Sequence, residues 1–166
     1  AVTGQSVWGE QRRRDGLFRA RVVKNNFDWG NEPPVHHAMQ DLIIYELHVR
    51  GFTKHPSSGV AHPGTFAGLK EKIPYLLEKL PHLLALGINA VELMPVFEFD
   101  ETMDAREVDG QKLFNYWGYS TVSFFAPNTS YAAANEYNRE GTELKELIRA
   151  LADAGIEVIL DVVFNH

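Results

Sequence analysis

Apolar positions along the chain predict strands and helices that alternate from about residue 41 onward. Residues 41–49 form a nearly continuous apolar run, and toward its end polar residues occupy every second position. This pattern predicts a buried strand that carries polar side chains at the end of one face. Residues 88–95 form a second short apolar strand. Residues 156–163 are apolar on both faces, as a strand inside a helix-covered parallel sheet must be.

Two amphipathic segments separate these strands. Leucine and isoleucine recur at spacings of three and four over residues 68–86, which predicts a helix with a kink or a restart at Pro74 and Pro81. The second helix is predicted to begin at Thr142 as a hydroxyl cap, with an acidic first turn, and to stop at Gly155. The order strand, helix, strand favours parallel pairing.

The first forty residues have a different pattern. Residues 17–23 form the best short strand, which indicates the tail of a β-rich module. Residues 27–34 are rich in turn formers and proline, which is typical of a linker that packs its two aromatic side chains against a neighbour. We therefore expect a domain boundary between residues 25 and 40.

Periodicity alone leaves the fold open between the start of an eight-stranded α/β barrel and part of an open doubly wound sheet. No glycine-rich phosphate motif follows any of the strands, so nucleotide-binding uses of the open sheet lack their phosphate cradle. A long aromatic excursion over residues 97–138 follows the second strand instead, and connections of that length are usually functional. Its rings could line a carbohydrate cleft or form a small core of the loop.

Composition and charge limit the kinds of partner that the protein is expected to bind. The 166 residues are 45% hydrophobic and carry a net charge of −6, which argues against a nucleic-acid or anionic-membrane partner. No apolar run approaches the roughly 18 residues of a membrane span. The absence of cysteine fits a reducing compartment, so we expect a cytoplasmic location, or a plastid in a plant. Because the chain opens on Ala1 and stops directly after a strand, we expect both ends to be cut.

Five segments then resemble a known family. Residues 161–166, Asp-Val-Val-Phe-Asn-His, resemble the first conserved region of the alpha-amylase superfamily, at the end of the third barrel strand. Residues 45–53 and 64–68 resemble the first strand and following loop of its isoamylase and glycogen-debranching branch. Residues 91–100 and 115–121 add two matches in the same order.

The resemblance implies an α/β fold, namely the first three strands of a (β/α)8 barrel over residues 31–166, truncated after strand 3. It implies that residues 1–30 are the end of a β-sandwich glucan-binding module plus linker. It also implies a parent glycoside hydrolase that cleaves alpha-1,6 branch linkages of glycogen, amylopectin or limit dextrin by a retaining mechanism.

Four site residues are implied by the same motifs. His166 would hydrogen-bond the 6-hydroxyl of the sugar on the non-reducing side of the cleaved bond, and Tyr119 would be the platform on which that ring stacks. Asp161 would hold an arginine located downstream, and Asn165 would brace the loop. We predict neither a metal nor another cofactor.

The acids of this chain are not expected to break the bond. A retaining mechanism needs two carboxyl groups about 5–5.5 Å apart, and the family carries them on later strands. Residues 100–109 hold five acids that we interpret as a solvated surface. Glu46, His48 and Glu92 are interpreted as a structural hydrogen-bond network, and the adjacent histidines at 36–37 as solvated.

Other interpretations remain open at this point. The chain could be a non-catalytic glucan-binding protein built from a degenerate barrel, or a small open-sheet α/β protein with unrelated chemistry. The parent could also have another superfamily activity, such as that of a pullulanase or a branching enzyme. The segment by itself is expected to be inactive and poorly soluble, because three of eight strands leave open sheet edges.

Overall fold

The computed structural model describes residues 22–31, 33–78, 87–102 and 105–164. Within them, the strands are β1 (Ile44–Leu47), β2 (Ala90–Leu93), β3 (Phe97–Phe99), β4 (Arg106–Val108), β5 (Gln111–Leu113), β6 (Thr121–Pro127) and β7 (Glu157–Leu160). The helices are α1 (Val49–Thr53), α2 (Phe66–Glu78) and α3 (Arg139–Asp153), with short 3-10 turns at Met39–Asp41, Pro56–Ser58 and Thr129–Tyr131.

The central sheet is parallel and has the strand order β1-β2-β7. Ile44 pairs with Ala90, which pairs in turn with Glu157. The three predicted strands and their parallel pairing are therefore confirmed. β2 lies between the other two, and its Ala90, Val91 and Leu93 are buried.

β1 is more exposed than its apolar sequence predicts. Ile43 and Ile44 are 44% and 46% exposed, and within the strand only Leu47 is buried. The strand also ends early, because the chain turns into α1 at Val49. Since β1 has a strand neighbour on one side only among the described residues, the prediction of a buried strand is wrong for its first half.

The two long helices share one apolar core with β2. The core is formed by side chains at helical spacing on α2 and α3 and by the inward side chains of β2, namely Leu69, Ile73, Leu144, Leu147, Leu151, Val91 and Leu93. Burial of each such side chain stabilises the fold by about 1.5–3 kcal/mol. None of the described helices is long and apolar enough to cross a membrane.

α2 begins two residues before the predicted segment and is helical as predicted. It continues through Pro74 to Glu78 without a restart. Residues 79–86, including Pro81, lie outside the described part of the chain.

The start of α3 corrects the predicted cap. The helix begins at Arg139, and the preceding Asn138 has a left-handed backbone with φ 53°. A Cβ at Gly141 would lie 2.5 Å from the Asn138 side-chain oxygen, so glycine leaves room for that side chain. Thr142 is therefore one turn inside the helix and is not its cap. At the other end Gly155 has φ 76°, which fits its predicted role as the stop.

The long segment after β2 contains more regular secondary structure than a loop. β3 pairs antiparallel with β6, and β4 pairs antiparallel with β5. The return strand β6 brings the chain back toward the 3-10 turn before α3. Within the described residues, the connection over residues 97–138 thus contains four strands that the sequence did not predict.

The segment before the sheet packs on the outside of α3. The Arg149 guanidinium lies 5.3 Å from the centre of the Phe27 ring and donates to the Asp28 carbonyl at 2.9 Å. Trp29 packs edge-on against Phe27 at 4.8 Å. The predicted packing on a neighbour is therefore confirmed for Phe27, whereas Trp29 packs on Phe27 itself and is 47% exposed. Residues 22–24 are not in a strand, and the rest of the predicted strand at 17–23 lies outside the described residues.

The two adjacent histidines are not simply solvated. The backbone N–H of His37 donates to Glu157 at 3.0 Å, and its ring Nε2 lies 3.1 Å from the Gly155 carbonyl oxygen. His36 is exposed, with its Nδ1 3.6 Å from Glu157. This pair attaches the segment before β1 to the start of β7, so the prediction of solvated histidines is wrong for His37.

Candidate functional site

A five-residue turn, Asn115–Tyr119, lies near the carboxyl ends of the central strands, and we refer to it as the aromatic turn. The Asn115 N–H donates to the Glu101 carbonyl at 2.8 Å, and the Asn115 side-chain oxygen accepts from the Gly118 N–H at 3.2 Å. Gly118 has φ 84°, and a Cβ there would lie 2.9 Å from the Phe99 ring. Only glycine therefore fits this turn without displacing Phe99.

Tyr119 is joined to Asp161 directly after β7. Its hydroxyl donates to Asp161 Oδ2 at 2.5 Å, while the Asp161 N–H donates to the Leu93 carbonyl at 3.0 Å. This bond, reinforced by partial burial and by the charges of Asp161, Glu46 and Glu92, raises the pKa of Tyr119 to about 12. The hydroxyl therefore stays protonated and donating at neutral pH.

The bond to Tyr119 gives Asp161 a hydrogen-bond partner that the sequence did not identify. A carboxylate in an apolar strand needs a hydrogen bond or an opposite charge. The resemblance implied an arginine farther along the chain, whereas in the described residues the partner is Tyr119. The structure thus brings two of the four predicted site residues together. Asn165 and His166 lie outside the described residues.

The aromatic turn also contacts His48, which directly follows β1. The buried His48 ring stacks on Tyr116 with centroids 4.0 Å apart and planes 8° apart. Its Nε2 donates to the Tyr116 carbonyl at 2.8 Å, and its Nδ1 accepts from the Gly51 N–H at 3.0 Å. Burial lowers the pKa of His48, and the charge of Arg50 adds to this effect against the opposing bond to Tyr116. The predicted hydrogen-bond network is confirmed for His48.

A second polar cluster lies beside this turn, and sequence reasoning missed it. Arg50 pairs with Glu101 at 2.9 Å and donates to the Ser130 hydroxyl at 2.9 Å. Its guanidinium also lies 5.1 Å from the centre of the Tyr131 ring. Burial raises the pKa of Glu101 even though Arg50 and Ser130 favour the charged form. The expectation of a solvated surface is therefore wrong for Glu101.

No local sequence pattern distinguishes the buried Glu101 from the acidic residues around it. Asp100 accepts bonds from Thr102 within the same loop, and Glu107 is exposed on β4. Asp104 lies outside the described residues, and Asp109 adopts φ 50° in the turn between β4 and β5. The partner of Glu101 is 51 positions earlier in the chain, so only tertiary contacts single it out.

Glu46 and Glu92 are adjacent in the sheet, where they pair in register on β1 and β2. Both contribute negative charge near Tyr119. In the described part of the chain, no group of three or more histidine, aspartate or glutamate side chains could hold a metal ion.

Residues 25–166 match the alpha-amylase family in its catalytic domain. The chain belongs to the alpha-amylase family. It is 45% identical over 145 residues to isoamylase 1, chloroplastic, of Oryza sativa subsp. japonica, covering 86% of this chain and 17% of that protein. It is 42% identical over 152 residues to the glycogen debranching enzyme of Yersinia pseudotuberculosis, covering 90% and 22%.

Solved structures agree with the family membership. The type I pullulanase from Bacillus subtilis, complexed with maltose, superposes with a TM-score of 0.64 at 34% identity, over 87% of this chain and 21% of that one. The pullulanase from Anoxybacillus complexed with maltotriose gives 0.61 at 39% identity, over 82% and 20%. The family and these neighbours imply a (β/α)8 barrel fold. The chain spans about a fifth of the length of the curated relatives it matches.

Proposed function

We propose that this chain is part of a glycoside hydrolase that cleaves the alpha-1,6 branch linkages of glycogen, amylopectin or limit dextrin with retention of configuration. The similarity to isoamylases and to a glycogen debranching enzyme, at 42–46% identity, supports this assignment. The relatives' names include chloroplastic proteins, which is consistent with a proposed location in a plastid or, in bacteria, in the cytoplasm.

Within that enzyme, the segment supplies the first part of the barrel. We assign β1, β2 and β7 to the first three barrel strands, with β3–β6 inserted between the second and the third. Residues 1–30 are proposed to be the end of a β-rich glucan-binding module and its linker. In such barrels the substrate binds at the carboxyl ends of the strands, where the aromatic turn lies.

The observation that carries the proposal is the bond between Tyr119 and Asp161. It ties the hydroxyl of Tyr119 to the end of β7, and the residue remains partly exposed. A flat ring fixed in this way suits stacking against the C–H face of a sugar. Tyr119 is thus proposed as the sugar platform and Asp161 as its support, with His166 binding the sugar 6-hydroxyl and Asn165 bracing the loop.

The bond-breaking carboxyl groups are proposed to come from outside these residues. Retaining hydrolysis needs a nucleophile and an acid separated by about 5–5.5 Å across the scissile bond. Glu46 and Glu92 belong to the sheet itself, and Glu101 is paired with Arg50. We assign them structural roles in holding the strands and the aromatic turn.

Two substitutions at one position test the platform in the full-length protein that contains this chain. Tyr119→Phe keeps the ring and loses the hydroxyl, whereas Tyr119→Ala loses both. Stacking predicts that the KM for glycogen rises by about tenfold or more in Tyr119→Ala, because loss of one aromatic contact costs about 0.5–1.5 kcal/mol plus the buried area of the ring. Tyr119→Phe should stay much closer to the wild type. Equal KM values for Tyr119→Ala and the wild type would contradict the assignment.

Glycogen and pullulan distinguish two versions of this proposal. The curated relatives include a glycogen debranching enzyme, and the solved neighbours are pullulanases. We favour the isoamylase and glycogen-debranching version because of the higher identity to that group. A kcat/KM for pullulan far above that for glycogen would favour the pullulanase version.

A further inference from the structure

The aromatic turn is attached to the sheet at two points. Its first attachment joins Tyr116 to His48, directly after β1, and its second joins Tyr119 to Asp161, directly after β7. Because β1 and β7 lie on opposite sides of β2, the turn spans the end of the central strand. The position of Tyr119 therefore depends on contacts at both edges of the sheet.

His48 holds Tyr116 through two different contacts, a hydrogen bond and a ring stack. Since Nδ1 accepts from the Gly51 N–H, the neutral ring carries its proton on Nε2, which donates to the Tyr116 carbonyl. The face of the same ring stacks on Tyr116, and Tyr131 packs edge-on against it with centroids 6.0 Å apart. One buried ring thus holds both the backbone and the side chain of Tyr116.

The packing leaves Tyr116 little freedom toward α1. A Cβ at Gly51 would lie 2.1 Å from the Tyr116 hydroxyl oxygen, so this ring lies directly against the α1 backbone. Because Gly118 has no side chain, the next part of the turn lies directly against the Phe99 ring. A displacement of Tyr116 would therefore be transmitted to Tyr119, three positions along the chain.

We propose that His48 is a positioning residue for sugar binding, which sets the place of the Tyr119 ring by holding Tyr116. The proposal rests on the proposed function of Tyr119 as the platform. His48 itself does not touch the sugar, and it acts through the aromatic turn. An error of about 1 Å in a positioned group can cost about a hundredfold in rate, so loss of this contact should be visible in kinetics.

His48 also caps α1, and this structural role must be separated from positioning. His48→Asn keeps an oxygen that can accept from the Gly51 N–H, since asparagine is a favoured cap. It removes the ring that stacks on Tyr116, and it shortens the reach to the Tyr116 carbonyl. His55 offers a matched control, because it caps the 3-10 turn Pro56–Ser58 by accepting from the Ser57 N–H at 3.2 Å on an exposed surface.

The test uses the full-length protein with glycogen debranching and with maltotriose binding by calorimetry. His48→Asn should lower kcat/KM by about tenfold or more, chiefly through KM, and should weaken maltotriose binding. His55→Asn should remain within about twofold of the wild type. In a Tyr119→Ala background, His48→Asn should have no further effect, because the platform that it positions is gone. Wild-type kinetics in His48→Asn, or additive losses in the double variant, would overturn the proposal.

A second variant covers the case in which His48→Asn does not fold. Tyr116→Leu removes the stacking partner from the other side, and it should show the same loss and the same lack of additivity with Tyr119→Ala. The measurements also distinguish a failure of the proposed debranching function from a failure of the proposed role of His48. If the wild type does not hydrolyse any alpha-glucan, the proposed function fails, whereas active wild type with an unaffected His48→Asn overturns only the role of His48.

Discussion

Tyr119 is partly exposed and has two separable parts, a hydroxyl that holds the residue in place and a flat ring. The hydroxyl donates to Asp161, so the carboxylate has its hydrogen bond and the ring has a fixed orientation. A tyrosine fixed at both its backbone and its tip loses little conformational freedom when a ligand stacks on it. The same residue thus supports the sheet and is available for the sugar.

The raised pKa of Tyr119 gives a pH-dependent prediction. Because the folded-state pKa is about 12 against the ordinary 10.0, the stabilising bond is fully present below pH 10 and is lost as pH rises from 10 toward 12. The difference in melting temperature between wild type and Tyr119→Phe should therefore be constant from pH 7 to about 10 and should then shrink. Scanning calorimetry at a series of pH values measures this difference, and a gap that grows above pH 10 would argue against the bond.

The buried ion pair between Arg50 and Glu101 should be sensitive to loss of one partner. Glu101→Ala leaves the mostly buried guanidinium of Arg50 without its carboxylate and should destabilise the fold by about 3 kcal/mol. Glu107→Ala, an exposed acid on β4, should change stability by no more than about 0.5 kcal/mol. Chemical denaturation of the variants provides the comparison, and equal losses in both would contradict the burial of Glu101.

At the scale of elements, Glu143 connects three parts of the fold. It is almost completely buried on α3, where Arg139 donates to it at 2.6 Å. It also accepts from the backbone N–H of Ala67 on α2 at 3.3 Å and from that of Ala133 at 3.1 Å. The sequence predicted only an acid in the first turn of a helix.

Glu143→Gln tests this connection. The amide keeps the shape but has one acceptor oxygen in place of two, so it cannot accept from Arg139 through Oε1 and from the Ala67 and Ala133 N–H groups through Oε2 at the same time. We expect a loss of about 2 kcal/mol and faster hydrogen exchange at those two amides. Exchange followed by mass spectrometry reports both sites. Unchanged protection at Ala67 and Ala133 would show that Glu143 does not join α2 to α3.

Hydrophobic periodicity predicted the elements that bury one broad apolar face. β2 and β7 fall within the segments chosen from the sequence, and α2 and α3 overlap their segments but begin two and three residues earlier. It missed the β3–β6 pair, because strands of three to seven residues with mixed burial carry little periodic signal. It also misplaced the start of α3, since the left-handed Asn138 depends on the space left by Gly141.

The candidate site was predictable as a set of residues and not as a set of contacts. Motif resemblance selected Tyr119 and Asp161, but their mutual bond links positions 42 apart. The stacking of His48 on Tyr116 links positions 68 apart. Contacts of this kind follow from how the ends of β1 and β7 meet the aromatic turn, which no local pattern encodes.

At the scale of the whole molecule, the three parallel strands form an open sheet with two edges. Among the described residues, β1 and β7 each have one strand neighbour, and Ile44, Phe125 and Phe164 are exposed by 46%, 99% and 74%. In a closed barrel the edges pair and such side chains are covered. This is the physical basis for proposing that the enzyme extends beyond these residues.

Residues 1–166 expressed alone should therefore be inactive and prone to aggregation. The open strand edges and exposed aromatic side chains favour self-association. Size-exclusion chromatography beside the full-length protein should show aggregates for the segment, and an assay on branched glucan should show no debranching. A monomeric segment that releases linear chains would be incompatible with catalytic carboxyl groups outside it.

Chain release from glycogen by the full-length protein decides whether these residues belong to a debranching enzyme. The products should be linear maltooligosaccharides that a beta-amylase then degrades completely, and unbranched amylose should remain intact under the same conditions. Shortening of amylose, or the absence of any chain release from glycogen or pullulan, would contradict the account.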